Sequence, residues 1–180
     1  LVQRGVAVAV VDCGPADQVC VADVPARFAA TVQQLAKVHG QELPRQAPFV
    51  AGLGAGGWIA SVVGASPELG ALRVRGRVLL GAPCGAASTA ELLPQLARGA
   101  VEVPDAAAIW APEGSPMLVV TGDQDVPCTR RDAQLLSARM LAPGAQSLGV
   151  ELPECNTVMA LRRVGQAGDE VLPMLLAFLG

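Results

Sequence analysis

The sequence predicts an α/β fold: a mostly parallel sheet with helices on both faces. Three observations carry that prediction. Unbroken apolar runs alternate with segments of helical period, and runs without polar alternation mark strands buried on both faces, as parallel strands are. One such run, residues 48–53, passes through a glycine-rich turn straight into a helix-compatible run, residues 55–63. The chain has 180 residues, 52% of them apolar, with a net charge of −3, enough to bury a substantial core as a single domain over residues 1–180.

Taken in order, residues 1–5 read as the last turn of a helix closed by Gly5, which implies chain upstream of Leu1. Residues 6–11 form a β-branched and Ala run ending at Asp12 and Cys13, read as a strand. Pro25 opens a helix with Phe28, Val32, Leu35 and Ala36 on its apolar side, ending near His39. The run from Pro48 is the central strand. A turn at Ser66, Pro67 and Glu68 leads to a strand over residues 76–83. Residues 88–98 have a helical period through Leu92, Leu93 and Leu96, and residues 99–115 have none and read as loop. A buried strand over residues 116–122, a helix over 130–141, a weaker strand over 146–152 and a terminal helix over 169–179 complete the chain, giving five strands. Such alternation implies right-handed crossovers in a parallel sheet.

Composition excludes several function classes. There is no basic cluster, so nucleic acid is not an expected partner. No apolar run reaches the ~20 residues that span a bilayer. The five cysteines contain no Cys-x-x-Cys, and His39 is the only histidine, so neither a metal nor another cofactor is expected.

The glycine turn supports two chemistries. Gly52, Gly54 and Gly57 satisfy the Gly-x-Gly-x-x-Gly of a dinucleotide site. Gly52 and Gly56 equally satisfy the frame of a nucleophile elbow, Gly-x-Ser-x-Gly, with Gly54 at the position of the reactive serine. A dinucleotide site wants an acid at the end of the next strand. That strand ends Leu80, Gly81, Ala82, Pro83, Cys84, with no acid. Nucleotide binding is therefore the weaker reading.

The order of parts resembles the second half of an α/β-hydrolase, from its fourth strand onward, over nearly all 180 residues. Residues 6–12 resemble the fourth strand, residues 48–57 the fifth strand and elbow, residues 76–83 the sixth strand, and Met117 to Asp125 the seventh strand with its Gly122-x-x-Asp125 acid turn. Leu152 to Asn156 resembles the turn that carries the family's histidine. The resemblance implies a three-layer sandwich, with N-terminal strands lying before Leu1. It implies vestigial triad positions at Gly54, Asp125 and Asn156, none forming an intact catalytic set. It also implies a rim pocket near Asp12, Cys13, Leu53, Gly54, Ala55 and Asp125.

Gly54 supplies no nucleophile, and no histidine follows residue 39. Cys13 and Cys84 follow strands, but His39 ends the helix leading to the opposite edge of the sheet, roughly 15–20 Å from the rim. The rim loops of the resembled fold also bring Cys128 and Cys155 together as a disulfide candidate, and Cys13 and Cys20 could close a small loop. Both pairs imply an oxidising compartment, periplasmic or secreted in a bacterium; free thiols imply the cytoplasm. The function expected is that of a catalytically inactive hydrolase-like domain in binding or assembly, with a protein partner or an upstream segment against its apolar surface. The alternatives are an active esterase-type hydrolase that works without serine and, less favoured, nucleotide binding through Gly52, Gly54 and Gly57.

Overall fold

The computed structural model describes residues 1, 5–12, 23–39, 47–65, 74–92, 94, 115–141 and 146–180. Four parallel strands form its sheet in sequence order: β1 (Phe49–Leu53), β2 (Gly76–Leu80), β3 (Met117–Gly122) and β4 (Leu148–Leu152). The register aligns Ala51 with Val78, Val78 with Leu118, and Leu118 with Leu148. β2 and β3 are buried along their whole length, as their continuous apolar sequence requires. β1 and β4 lie at the edges and are only partly buried.

Side chains alternate between two apolar layers. Val50, Leu79, Met117 and Val119 pack with Ala60 of helix α2 (Ala55–Ala65) and with Ala133, Leu136 and Met140 of helix α4 (Pro127–Met140). Val78, Leu80, Leu118, Val120 and Leu152 pack on the other face with Ala160 of α5 (Thr157–Arg162) and with Val171, Met174, Leu175 and Phe178 of α6 (Val171–Leu179). Helix α3 (Ala86–Leu92) follows β2. Helix α1 (Val24–His39) stands against α2, where Val24 and Phe28 meet Trp58 and Val63. Helices on both faces of a parallel sheet are the layering the sequence predicts.

One expectation on an element needs correction. Residues 6–11 are not a strand: they have no ladder partner among the described residues, and Val8 and Val10 are 52% and 94% exposed. Strand composition is not enough, because a strand exists only where a neighbouring edge accepts its hydrogen bonds. The described sheet accordingly has four strands, not five. Helix α5 is an element for which the sequence reading states no expectation. The helix expected from residue 130 begins three residues earlier, at Pro127, whose missing N–H costs nothing at the first helical position. The turn at Ser66, Pro67 and Glu68, most of the loop over residues 99–115, and Leu93 and Leu96 lie outside the described residues.

Candidate functional site

The C-terminal ends of the four strands form one rim, tied together by backbone hydrogen bonds beyond the ladders. Gly54 N–H donates to the Leu80 carbonyl (2.9 Å), Gly81 N–H to Val120 (2.8 Å) and Asp123 N–H to Leu152 (2.9 Å). Each rim loop is therefore held to the next strand.

At β1 the chain turns through Gly54 at φ +55° and enters α2 at once. This left-handed conformation is costly for most residues and free for glycine. A Cβ on Gly54 would meet nothing within 4 Å, so the turn has room for a side chain at its apex. The flanking glycines are different. A Cβ on Gly52 would lie 2.0 Å from the Gly56 carbonyl oxygen, and one on Gly57 would lie 2.6 Å from the Ala82 Cβ. Gly52 and Gly57 thus let α2 seat directly on the strands, whereas Gly56 faces open space.

The acid turn after β3 is a closed hydrogen-bond knot. Asp125 Oδ2 accepts from Gly122 N–H (2.7 Å), from Thr121 Oγ1 (3.0 Å) and from Thr157 Oγ1; its Oδ1 accepts from Thr157 N–H (2.9 Å). Burial by itself would raise the Asp125 carboxyl, but these bonds to Thr157, Gly122 and Thr121 outweigh it and hold the group below its ordinary value. Gly122 is required here because a Cβ would sit 2.2 Å from the Cys155 carbonyl oxygen. Asp123 completes the knot by accepting from Glu154 N–H (2.9 Å) and Cys155 N–H (3.1 Å), which fixes the turn in which Glu154 adopts φ +55°. The sequence reading assigned no role to Asp123. Its only signal was an acid beside the Gly122-x-x-Asp125 motif.

The residue that meets Asp125 is Thr157, not Asn156. Asn156 caps α5, its side-chain oxygen accepting from Met159 N–H (2.9 Å). Thr157 is buried over the end of β2, where a Cβ on Gly81 (φ +52°) would come within 3.0 Å of its Cβ and Oγ1. Leu53 is exposed, and Gly54 and Ala55 are half-buried beside it at the start of α2. Asp12 is exposed just after residues 6–11, which stand outside the sheet, and Cys13 lies outside the described residues.

Cys84 is buried in the core with its Sγ toward the Ala82 carbonyl (3.4 Å). His39 ends α1, whose first residue, Val24, packs on Trp58 in the first turns of α2; 16 residues of helix carry His39 about 24 Å from that point. The expected Cys128–Cys155 disulfide is not formed, and both thiols are free. Cys155 is buried among the apolar residues beneath β4 and α5, while Cys128 sits part-exposed in the first turn of α4. Cys13 and Cys20 fall outside the described residues. The Cys128–Cys155 part of the argument for an oxidising compartment is thereby removed. Among the described residues no cluster of three His, Cys, Asp or Glu is placed to hold a metal, and no helix is long and apolar enough to cross a membrane.

No protein-family model matches the sequence, and no curated protein is similar to it. Solved structures do match. Esterase B from Lactobacillus rhamnosis, a complex with a phosphonate, superposes with a TM-score of 0.65 at 18% identity, covering 86% of this chain and 59% of that one. The carboxylesterase Cest-2923 from Lactobacillus plantarum WCFS1 gives 0.64 at 15% identity, covering 84% and 64%. An esterase of the bacterial hormone-sensitive lipase family gives 0.62 at 15% identity, covering 86% and 59%. This chain therefore spans about three-fifths of the length of these esterases. The parallel sheet, its two helical layers and these superpositions together give the chain the fold of the α/β-hydrolases.

Proposed function

We propose that this chain is a catalytically inactive α/β-hydrolase domain whose role is binding or assembly. One observation carries the reading: the apex of the elbow is Gly54, held at φ +55° with open space where a side chain would stand. Triad-type acyl transfer needs a nucleophile at that apex and a base within hydrogen-bond reach. Gly54 offers no hydroxyl or thiol. The Asp125 carboxylate is engaged by Thr121, Gly122 and Thr157, and Asn156 is spent on its cap. The exposed Val8 and Val10 and the outer edge of β1, which has no ladder partner among the described residues, support burial against further polypeptide, from a partner or from upstream chain.

The rival reading, an active esterase-type hydrolase without serine, is favoured by the names of the matched structures alone. Short p-nitrophenyl esters separate the two. Neither the unmodified protein nor Gly54→Ser is expected to show saturable turnover, since the serine would still lack a base. Saturable hydrolysis by the unmodified protein would overturn the proposal.

A further inference from the structure

β4 forms the edge of the sheet opposite β1, and what its outer side binds does not depend on whether the elbow is active. Among the described residues β4 pairs with β3 alone. Asp123 N–H donates to the Leu152 carbonyl, so the main-chain groups of Leu152 face β3, and by the alternation along a strand those of Val150 and Leu148 do too. The N–H and C=O groups of Gly149 and Glu151 therefore point outward. Open edges are normally guarded by a lysine, a proline, a bulge or an unpaired charge. β4 runs Leu148, Gly149, Val150, Glu151, Leu152 in unbroken register, and its one charge, Glu151, is already taken by Arg130 and Gln134 of α4. Apolar side chains stand at this edge instead. Leu148 is 51% exposed, and it lines a cleft between α4 and β4 together with Leu141, which is 85% exposed.

We propose that the outer edge of β4 pairs antiparallel with β4 of a second copy of this chain, about a two-fold axis at Val150, joining two four-stranded sheets into one. The strand is complementary to itself in that register. Gly149 comes opposite the partner's Glu151, and Glu151 opposite the partner's Gly149. Each is a hydrogen-bonded pair that exchanges both N–H···O=C bonds, which uses every outward main-chain group of the strand. The only charged side chain faces a residue with no side chain, and no like charges meet. Leu148 comes opposite the partner's Leu152, which brings the exposed leucine beside an apolar layer. The neighbouring registers are worse. An axis at Glu151 sets the two carboxylates against each other. An axis at Gly149 keeps a single bonded pair and leaves Glu151 beyond the end of the partner's strand.

The test is the mass in solution, read by sedimentation equilibrium of the intact protein over about 1–200 μM, where a dimer of micromolar affinity forms. A species of twice the 18.3 kDa chain is expected to grow with concentration. Leu148→Lys changes an exposed side chain and no ladder bond; it should weaken association about tenfold or more, since the axis counts it twice. Val150→Cys sets two Cα atoms about 4.5 Å apart across the axis, within disulfide reach. Mild oxidation should cross-link that variant through position 150, identified by peptide mapping. Hydrogen exchange at the Gly149 and Glu151 amides should slow as concentration rises. A protein monomeric over the whole range, an association undiminished by Leu148→Lys, or a Val150→Cys variant not linked through position 150 would each overturn the proposal. Slow exchange at both amides in the monomer would also overturn it, by giving the edge to another part of the chain. None of these readings involves ester turnover, so failure here and failure of the inactive-elbow reading are distinguishable.

Discussion

Four glycines between the end of β1 and the start of α2 look alike in sequence, but the structure assigns them different energies. Replacing each by alanine separates close backbone approach from conformational freedom. Gly52→Ala puts a Cβ 2.0 Å from the Gly56 carbonyl oxygen and 2.5 Å from Gly57 N, both backbone atoms in the first turn of α2. No rotamer change relieves that overlap, so the helix must lift from the strand. Overpacking of this kind costs about 3 kcal/mol or more. Gly57→Ala meets the Ala82 Cβ at 2.6 Å and the Gly52 oxygen at 2.9 Å, and belongs in the range of about 1–3 kcal/mol. Gly54→Ala meets nothing and carries only the left-handed penalty of about 1–2 kcal/mol. Gly56→Ala also meets nothing, has no positive φ, and stands inside a helix, so it should stabilise by about 0.5–1 kcal/mol. Urea unfolding reads the series as midpoints at a common slope. The expected order of stability is Gly56→Ala, wild type, Gly54→Ala, Gly57→Ala, Gly52→Ala. A Gly52→Ala protein as stable as wild type would refute the direct seating of α2 on β1. A Gly56→Ala protein as damaged as Gly52→Ala would show that the open space at residue 56 is not open.

Two further outcomes follow from the rim and the thiols. Because hydrogen bonding holds the folded Asp125 carboxyl below its ordinary value of 3.8, its contribution is present above that pH and is lost as pH falls through the folded value. Urea midpoints should therefore drop on acidification below about 4, and Asp125→Asn, already weakened at neutral pH by roughly 1–3 kcal/mol through its mismatched donors, should drop less; an equal acid loss in both proteins would assign the effect to other carboxylates. Thiol labelling of the native protein followed by peptide mapping should modify Cys128 and spare Cys84 and Cys155, which are buried, the Cys155 thiol being pushed up by that burial. Recovery of a Cys128–Cys155 cross-linked peptide from unreduced protein would contradict the structure.

Legibility of the elements in the sequence tracks how completely each is buried. β2 and β3 read as continuous apolar runs because both faces are covered, and they form where expected. β4 reads weakly because it is an edge strand with Leu148 and Glu151 exposed. Helix α6 was legible from its spacing, and Asp169 closes its start by accepting from Val171 and Leu172 N–H. Helix α5 was not, since six residues are too few to display a period, and its one local signal, the capping Asn156, was read as a vestigial triad position. The glycine turn and the Gly122-x-x-Asp125 motif were both visible, but not the partner of the acid. Asp125 turns to Thr157 because the cap on α5 draws the Asn156 side chain toward Met159.

The sequence by itself determined the fold class, the sharp turn after β1, the glycine at position 54 and the lack of any histidine after His39. These depend on residue identity and short spacings, which the chain carries locally. Only the tertiary structure decided that residues 6–11 stand outside the sheet, that Cys128 and Cys155 are not bonded to each other, and which of the four glycines are sterically obligatory. Each of these depends on what lies across a ladder, a helix contact or a loop, and the partner atom is supplied by a segment distant in sequence. Hydrogen-bond pairing and close packing are properties of pairs, and a single position in a sequence does not name its pair.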